Sequence, residues 1–258
     1  MNKGTLILAH SLLFCILILI VGASVLCAEP SSREIIAKVE KSYGRLDDMR
    51  AELHVAYTNQ DELKKIGEDF ARSFGFKKIA IAYKAPDKMR YESSHISYAK
   101  VVVITAGFRK SVGIPSLHLH KRMNIDPGDL GKKQYPVDFG IASGDMWVDW
   151  TASYQGIDSV DGHSCYVLKL VNDKSKKRES HMKIWIDRSL WVPRRLDKVR
   201  YEGDLKSSTL YKDFKLVNGK AMVPYRIEIH SPSGKLAGVL EYDKANININ
   251  IPDSDFKI

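Results

Sequence analysis

Two pairs of side chains are the strongest candidates for chemistry in this sequence. His118 and His120 lie two residues apart and could share one face of a strand, as half of a metal site would. No third ligand stands at a recognisable spacing, so plain surface histidines are the favoured interpretation. His163 and Cys165 show the same alternation and could form a thiolate pair, but a lone cysteine on a strand is more often a small packed apolar side chain.

Familiar catalytic motifs are missing from the chain. It contains no G-x-S-x-G nucleophile elbow, no H-E-x-x-H zinc motif, no phosphate-binding loop and no G-x-G-x-x-G. We therefore predict a protein that is not an enzyme and that requires neither a cofactor nor a metal. An enzyme built on one of the two histidine pairs is kept as a weaker hypothesis.

Aromatic and branched side chains are more informative than the titratable ones. Four Trp, twelve Tyr and eight Phe supply enough apolar area to fill a core or to line an apolar cavity. A cavity under a curved sheet could hold an acyl chain, because each buried methylene contributes about 0.8 kcal/mol. Core packing is the equally expected alternative for every candidate. The candidate lining residues are Ile79, Ile81, Tyr83, Met89, Tyr91, Trp185 and Tyr225.

The stretch from Trp147 to Ile251 predicts a long antiparallel meander. Asp161-Gly162 and Asn218-Gly219 are dipeptides typical of tight hairpins, and Val223 to Ile229 alternates between apolar and polar residues. Alternating Ile and Asn suggest a last strand over 247–251. The other predicted strands cover 148–156, 163–171, 181–187, 192–202, 205–214, 221–230 and 236–243.

The preceding part of the chain predicts helices that must cover this sheet. Helical spacing of apolar residues indicates a capped helix at Ser32–Tyr43 and an amphipathic helix over 61–74, which packs on the sheet or forms a mobile lid. Pro86 divides the strand signals of 77–94, and 126–139 is irregular enough to be a loop crossing the mouth of the sheet. Further strands are expected at Met49–Thr58, 99–106 and 113–119.

The N-terminus predicts export from the cytoplasm. Lys3 precedes an almost wholly apolar run over 6–25, and Ala28 offers a small residue for cleavage, so residues 1–28 are predicted to be a signal peptide or an uncleaved anchor. Residues 29–258 then form one domain, in which only Cys165 remains and no disulfide is possible. The formal net charge of +9 could favour anionic membranes or acidic partners, and export argues against nucleic acid.

Several short segments together resemble a known family. They are Tyr83-Lys84-Ala85-Pro86-Asp87-Lys88-Met89-Arg90-Tyr91, Cys165-Tyr166-Val167-Leu168, Ile184-Trp185-Ile186-Asp187-Arg188, Trp191-Val192-Pro193 and Ile251-Pro252-Asp253-Ser254-Asp255-Phe256. This set is similar to the bacterial outer-membrane lipoprotein-sorting, or lipoprotein carrier, superfamily. The resemblance implies a mainly β fold: an incomplete antiparallel β-barrel, or curved meander sheet, with helices covering its concave face.

The resemblance also implies a function. It points to a non-catalytic periplasmic protein of a Gram-negative bacterium that shelters lipoprotein acyl chains or lipid for transport or sorting to the outer membrane. The family carrier has an Arg before the motif proline that helps to hold its helical lid, and here that position is Ala85. Lys84 and Arg90 are the candidates to replace it. The alternative is an envelope sensor or scaffold in which the same fold binds a membrane protein partner.

Overall fold

The first helix begins where its capping residues predict. The computed structural model describes residues 29–44, 46–94, 100–175 and 180–258, so the predicted signal segment 1–28 lies outside the described residues. Helix α1 spans Ser32–Tyr43, and the Ser31 side chain accepts from the Glu34 backbone N–H while the Glu34 carboxylate accepts from the Ser31 N–H. No helix in the described ranges is long and apolar enough to cross a membrane.

The amphipathic pattern over 61–74 forms two helices instead of the single one predicted. Helix α2 spans Gln60–Ile66 and helix α3 spans Glu68–Ser73. Gly67 separates them with an extended backbone, which breaks the helical hydrogen-bond series. The apolar spacing is nevertheless preserved across the break, since Leu63 and Ile66 are buried and Phe70 packs against the core. Both helices therefore cover the sheet, as the packing interpretation predicted.

All thirteen strands of the described chain belong to one antiparallel sheet. Its order is β6-β5-β4-β3-β2-β1-β13-β12-β11-β10-β9-β8-β7, and β6 and β7 form its two open edges. The incomplete barrel predicted from the resemblance is therefore confirmed. The strands are β1 Asp48–Thr58, β2 Lys78–Lys84, β3 Lys88–Ser94, β4 Lys100–Ala106, β5 Arg109–Ile114, β6 Leu119–Asn124, β7 Thr151–Val160, β8 His163–Val171, β9 His181–Asp187, β10 Pro193–Val199, β11 Leu205–Val217, β12 Ala221–His230 and β13 Leu236–Ile247.

One predicted strand is wrong because a turn replaces it, and another begins later than predicted. The weak strand over 113–119 is a chain reversal: β5 ends at Ile114, a 3-10 turn covers Pro115–Leu117, and His118 has φ of 52°. Proline lacks the N–H that a continuing ladder needs, so the chain turns there. The predicted start of the meander at 148 also fails, because Met146–Asp149 forms a short helix, α4, ahead of β7.

The predicted last strand over 247–251 is also absent from the sheet. Asn248 and Asn250 adopt left-handed φ values of 55° and 59°, which asparagine tolerates and a strand does not. The Asp48 carboxylate accepts from the N–H groups of Ile249 and Ile251, at 2.9 and 3.1 Å, and so satisfies them in place of a neighbouring strand. The C-terminal residues then fold back over the outer face of the sheet, where Phe256 and Ile251 pack on Ala82.

The main core lies on the concave face of the sheet. Helix α1 contributes Ile35, Val39 and Tyr43, and the residues between β6 and β7 contribute Phe139 and Ile141. The sheet itself contributes alternate residues of its central strands, with their neighbours pointing to the outer face. The fold therefore places one apolar layer between the sheet and everything that covers it.

Gly238 of β13 allows the sheet to pack closely against Phe74, the residue that follows helix α3. A Cβ built on Gly238 would lie 2.5 Å from Phe74 Cε1, a distance no packed side chain tolerates. We predict that Gly238→Ala lowers the free energy of unfolding by about 1–3 kcal/mol, because the aromatic ring must shift. Urea denaturation measures this. Gly113→Ala is the matched control, since its Cβ would meet nothing closer than 3.5 Å; an equal loss in both variants would contradict the packing argument.

Candidate ligand-binding face

Five of the predicted lining residues come together on the concave face. Ile79, Ile81 and Tyr83 alternate along β2, and in the register with β3 Met89 lies opposite Tyr83 and Tyr91 opposite Ile81. Directly paired residues of antiparallel strands share a face. All five belong to the main core or pack against it, and only Tyr91 is half-buried. We call these five residues the concave wall.

The other two predicted lining residues lie elsewhere. Tyr225 reaches the same core from β12 and packs on Tyr242, with ring centroids 5.9 Å apart. Trp185 does not join them, because it packs on the outer face with Cys165 and Val167. Its indole N–H donates to the Asp158 carboxylate at 3.0 Å. Trp185 is therefore no part of the concave wall.

A segment between β6 and β7 fills the space in front of the concave wall. We call residues Tyr135–Trp150 the plug segment; it corresponds to the end of the predicted irregular loop and the residues after it. Phe139 stacks on Tyr91 with ring centroids 6.3 Å apart, and the hydroxyls of Tyr83 and Ser143 are 3.3 Å apart. Its buried apolar residues are Tyr135, Val137, Phe139, Ile141, Ala142, Met146 and Trp150.

Three buried tyrosine hydroxyls hold the backbone of the plug segment. Tyr43 of α1 donates to the Gly140 carbonyl at 3.3 Å, Tyr211 of β11 to the Val137 carbonyl at 2.5 Å, and Tyr242 of β13 to the Phe139 carbonyl at 2.8 Å. Burial raises the pKa of all three hydroxyls above the ordinary tyrosine value. They therefore remain neutral donors throughout the physiological range. We call these three residues the tyrosine clamp.

Two glycines let the plug segment approach the sheet closely. Gly140 has φ of 82°, and a Cβ there would lie 2.3 Å from Pro224 Cγ. Gly144 has φ of 77°, and its Cβ would lie 2.4 Å from the Pro86 carbonyl oxygen. Both positions combine a left-handed backbone with no room for a side chain, which only glycine accommodates without strain. The plug segment is thus fitted to this position.

A buried charged cluster anchors the far end of the plug segment. Lys133 Nζ lies between the carboxylates of Asp145 and Asp149, 2.5 Å from Asp149 Oδ2, and Tyr135 donates to Asp149 at 3.0 Å. Burial raises the pKa of Asp145 to about 6, and the neighbouring ammonium only partly opposes this. Burial alone would lower the pKa of Lys133, but its two carboxylates raise it overall. The ammonium also lies 4.7 Å from the Phe108 ring centroid.

Helix α2 is fastened to the sheet by a residue that sequence analysis did not single out. The Glu62 carboxylate accepts from the hydroxyls of Ser231 at 2.5 Å and Ser233 at 2.9 Å and pairs with Lys65 at 2.7 Å. The serines belong to the turn between β12 and β13, so no local pattern connects them to the helix. The Lys65 contact, followed by the serine hydrogen bonds, lowers the pKa of Glu62 to about 2.

The two predicted lid-latch residues hold a different segment. Lys84 donates to the Ile251 carbonyl at 2.9 Å and pairs with Asp253 at 2.6 Å. Arg90 donates to the Asp255 carbonyl at 2.9 Å. In the described part of the chain both side chains therefore secure the C-terminal residues on the outer face, and Glu62 is the residue that fastens a covering helix.

The histidine and cysteine pairs do not form catalytic arrangements. Cys165 is fully buried and burial raises its pKa to about 11, so it is a neutral thiol and not the thiolate of the weaker enzyme hypothesis. His118 lies in the turn before β6 and not on a strand with His120, whose ring nitrogen is 3.0 Å from the Ser111 hydroxyl. Within the described ranges no three His, Cys, Asp or Glu side chains are grouped as metal ligands.

Comparison with solved structures identifies the fold. A LolA superfamily protein of Nitrosomonas europaea superposes with a TM-score of 0.61 at 16% identity, covering 89% of this chain and 99% of that one. A putative outer membrane lipoprotein-sorting protein domain from Vibrio parahaemolyticus gives 0.61 at 11% identity, over 87% and 95%. A DUF1329 family protein from Desulfovibrio piger gives 0.60 at 13% identity, over 86% and 94%. The chain therefore has the fold of the lipoprotein-sorting superfamily that its sequence segments resemble.

Sequence comparison adds relatives without an assigned activity. A family model described only as an uncharacterized protein matches residues 138–258. An uncharacterized protein of Methanocaldococcus jannaschii is 23% identical over 164 residues, which are 64% of this chain and 43% of that protein. The chain thus spans less than half the length of this curated relative.

The raised pKa of Asp145 predicts how stability depends on pH. Since the folded protein holds this proton more tightly than the unfolded chain, stability falls as pH rises from about 4 to 6, by up to about 3 kcal/mol. Asp145→Asn removes this titration. We expect the free energy of unfolding of the wild type, relative to the variant, to decrease over that pH range in urea titrations. Asp69→Asn, at an exposed carboxylate, is the control, and parallel pH profiles for all three proteins would refute the assignment.

The lowered pKa of Glu62 predicts the opposite dependence. Its contribution to stability is present above the ordinary pKa near 4.5 and is lost as pH falls towards about 2. We expect Glu62→Gln to unfold at a lower urea concentration than the wild type at neutral pH, with a difference that shrinks in acid. Glu40→Gln, at an exposed position of α1, is the control. A pH-independent difference would show that the carboxylate charge is irrelevant to the helix attachment.

Proposed function

We propose that this protein binds an acyl chain of a lipid or lipoprotein on the concave wall, with the plug segment and helices moving aside. The proposal rests on the way in which the plug segment covers the concave wall. An apolar wall of five side chains is closed by a segment whose backbone is held by three tyrosine hydroxyls. A solved protein with the same fold is described as a putative outer membrane lipoprotein-sorting domain. The proposal includes an exported location, as residues 1–28 predict.

Ligand length follows from the energy needed to displace the plug segment. Moving side chains such as Val137, Phe139, Ile141 and Met146 into water costs about 1.5–3 kcal/mol each. Losing three tyrosine hydrogen bonds costs about 1 kcal/mol each. Since each buried methylene returns about 0.8 kcal/mol, roughly a dozen or more are needed to compensate. The proposed ligand is therefore a long acyl chain.

The tyrosine clamp provides the test. With residues 29–258 and a dansyl-labelled fatty acid, we expect saturable binding and a fluorescence rise. Tyr211→Phe combined with Tyr242→Phe removes two donors, so the closed state loses about 2 kcal/mol and probe uptake becomes roughly tenfold or more faster. Stopped-flow fluorescence measures the rate, and urea denaturation of the same variants shows that the fold persists.

Tyr57→Phe is the matched control, because this tyrosine is 45% exposed and lies outside the clamp. Its uptake rate should equal that of the wild type. Absence of probe binding by every variant, together with no lipid mass in native mass spectrometry of protein taken from the envelope, would reject the proposal. In that event a protein partner recovered by crosslinking would favour the scaffold alternative.

A further inference from the structure

The hairpin of β5 and β6 exposes leucines at its tip. All eight residues from 115 to 122 are exposed, and Leu117 and Leu119 are 60% and 57% accessible. In the register Leu119 lies opposite Ile114, itself partly exposed. Large apolar side chains that are exposed close together at a protruding turn indicate an interaction surface more strongly than scattered ones do.

The charged side chains carried by β4, β5 and β6 themselves are all basic, and among them Lys100 is paired with Glu92 of β3. Between Glu92 and Asp126 the sequence has no acidic residue. The same stretch carries five of the basic residues of a chain whose net charge is +9. They are Lys100, Arg109, Lys110, Lys121 and Arg122. An anionic surface would be attracted to this edge from either face of the sheet, because a long-range field does not depend on side-chain direction.

The spacing of leucines and cations along β6 matches a lipid interface. With a strand rise of about 3.4 Å per residue, Lys121 and Arg122 lie roughly 7 and 10 Å along the strand from Leu119. Apolar groups of interfacial segments reach about 5–10 Å into the boundary between headgroups and acyl chains. Leucines at the tip would therefore reach the acyl boundary while both cations remained at the level of the headgroups.

We propose that the β5–β6 hairpin docks this protein end-on to an anionic lipid bilayer. Leu117 and Leu119 insert at the tip, and Lys121 and Arg122 bind lipid phosphates. This goes beyond the proposed acyl-chain site, which lies on another part of the sheet and can be measured without a membrane. Cations on an open edge strand also prevent edge-to-edge pairing, but that role alone requires no exposed leucines at the turn.

Vesicle binding tests the proposal. Residues 29–258 are used because Ser31–Ile258 is one compact unit containing the whole sheet, and the apolar segment before it would bind membranes by itself. The chain should co-sediment with phosphatidylcholine vesicles containing phosphatidylglycerol and not with phosphatidylcholine alone. Lys121→Gln with Arg122→Gln should weaken binding by about 20- to 30-fold, at roughly fivefold per cation. Leu117→Ser with Leu119→Ser should weaken it at least tenfold.

Matched controls remove charge and apolar area elsewhere. Lys220→Gln with Lys235→Gln removes two exposed cations, and Leu216→Ser removes a leucine that is 59% exposed. Both should bind vesicles nearly as the wild type does, and every variant should retain binding of the dansyl fatty acid if that site exists. Equal loss with the control lysines would mean general charge attraction and would overturn the proposal. Unchanged vesicle binding by the leucine variant would also overturn the proposal. If the wild type is a dimer without vesicles and the leucine variant sediments as a monomer, the leucines form a protein interface, and the proposal is overturned as well.

Discussion

The concave face of the sheet is apolar along its central strands, and that face must be covered for the protein to fold. Ile79, Ile81 and Tyr83 on β2 alone would expose an area worth several kcal/mol, a large part of the net stability of a typical domain. Because β6 and β7 remain open edges, the sheet cannot close on itself to hide these residues. The helices and the plug segment therefore fill the space that the curvature of the sheet creates.

The plug segment is attached differently from an ordinary core element. No strand ladder fixes it; instead three tyrosine hydroxyls from α1, β11 and β13 donate to consecutive parts of its backbone, and Lys133 binds Asp145 and Asp149 beside it. Each contact is strong in an apolar surrounding, where an unpaired polar group would be costly. Such attachment positions the cover in front of the wall without making it part of the sheet.

The sequence was most informative where a local rule determined the outcome. The capping box at Ser31 and the alternation along β2 and β12 depend on neighbouring residues, and those elements formed as predicted. The prediction that Trp185 lines the concave face was wrong. Ile184, Trp185 and Ile186 form a continuous apolar run, so the sequence does not show which of them face the core. Only the pairing of β9 with β8 and β10 places Ile184 in the main core and Trp185 outside it.

Contacts between distant parts of the chain were the ones that could not be predicted. The Glu62 carboxylate meets Ser231 across most of the sequence, and the tyrosine clamp joins three elements to the plug segment. Lys84 and Arg90 were assigned to the helices because charge and position allowed it, but the turn at Asn248 brings the C-terminal acidic residues to them first. Register and chain reversal, rather than residue type, decide which partner a charged side chain meets.

One row of paired residues connects the buried and the exposed parts of the sheet. Across β2, β3, β4, β5 and β6 the register aligns Ile81, Tyr91, Val103, Val112 and Lys121. Burial decreases along this row, from a fully buried isoleucine through half-buried residues to an exposed lysine. Since directly paired residues share a face, the apolar wall continues without a break towards the basic edge. The same curvature that obliges the chain to supply a plug segment thus gives the wall an apolar path to the surface.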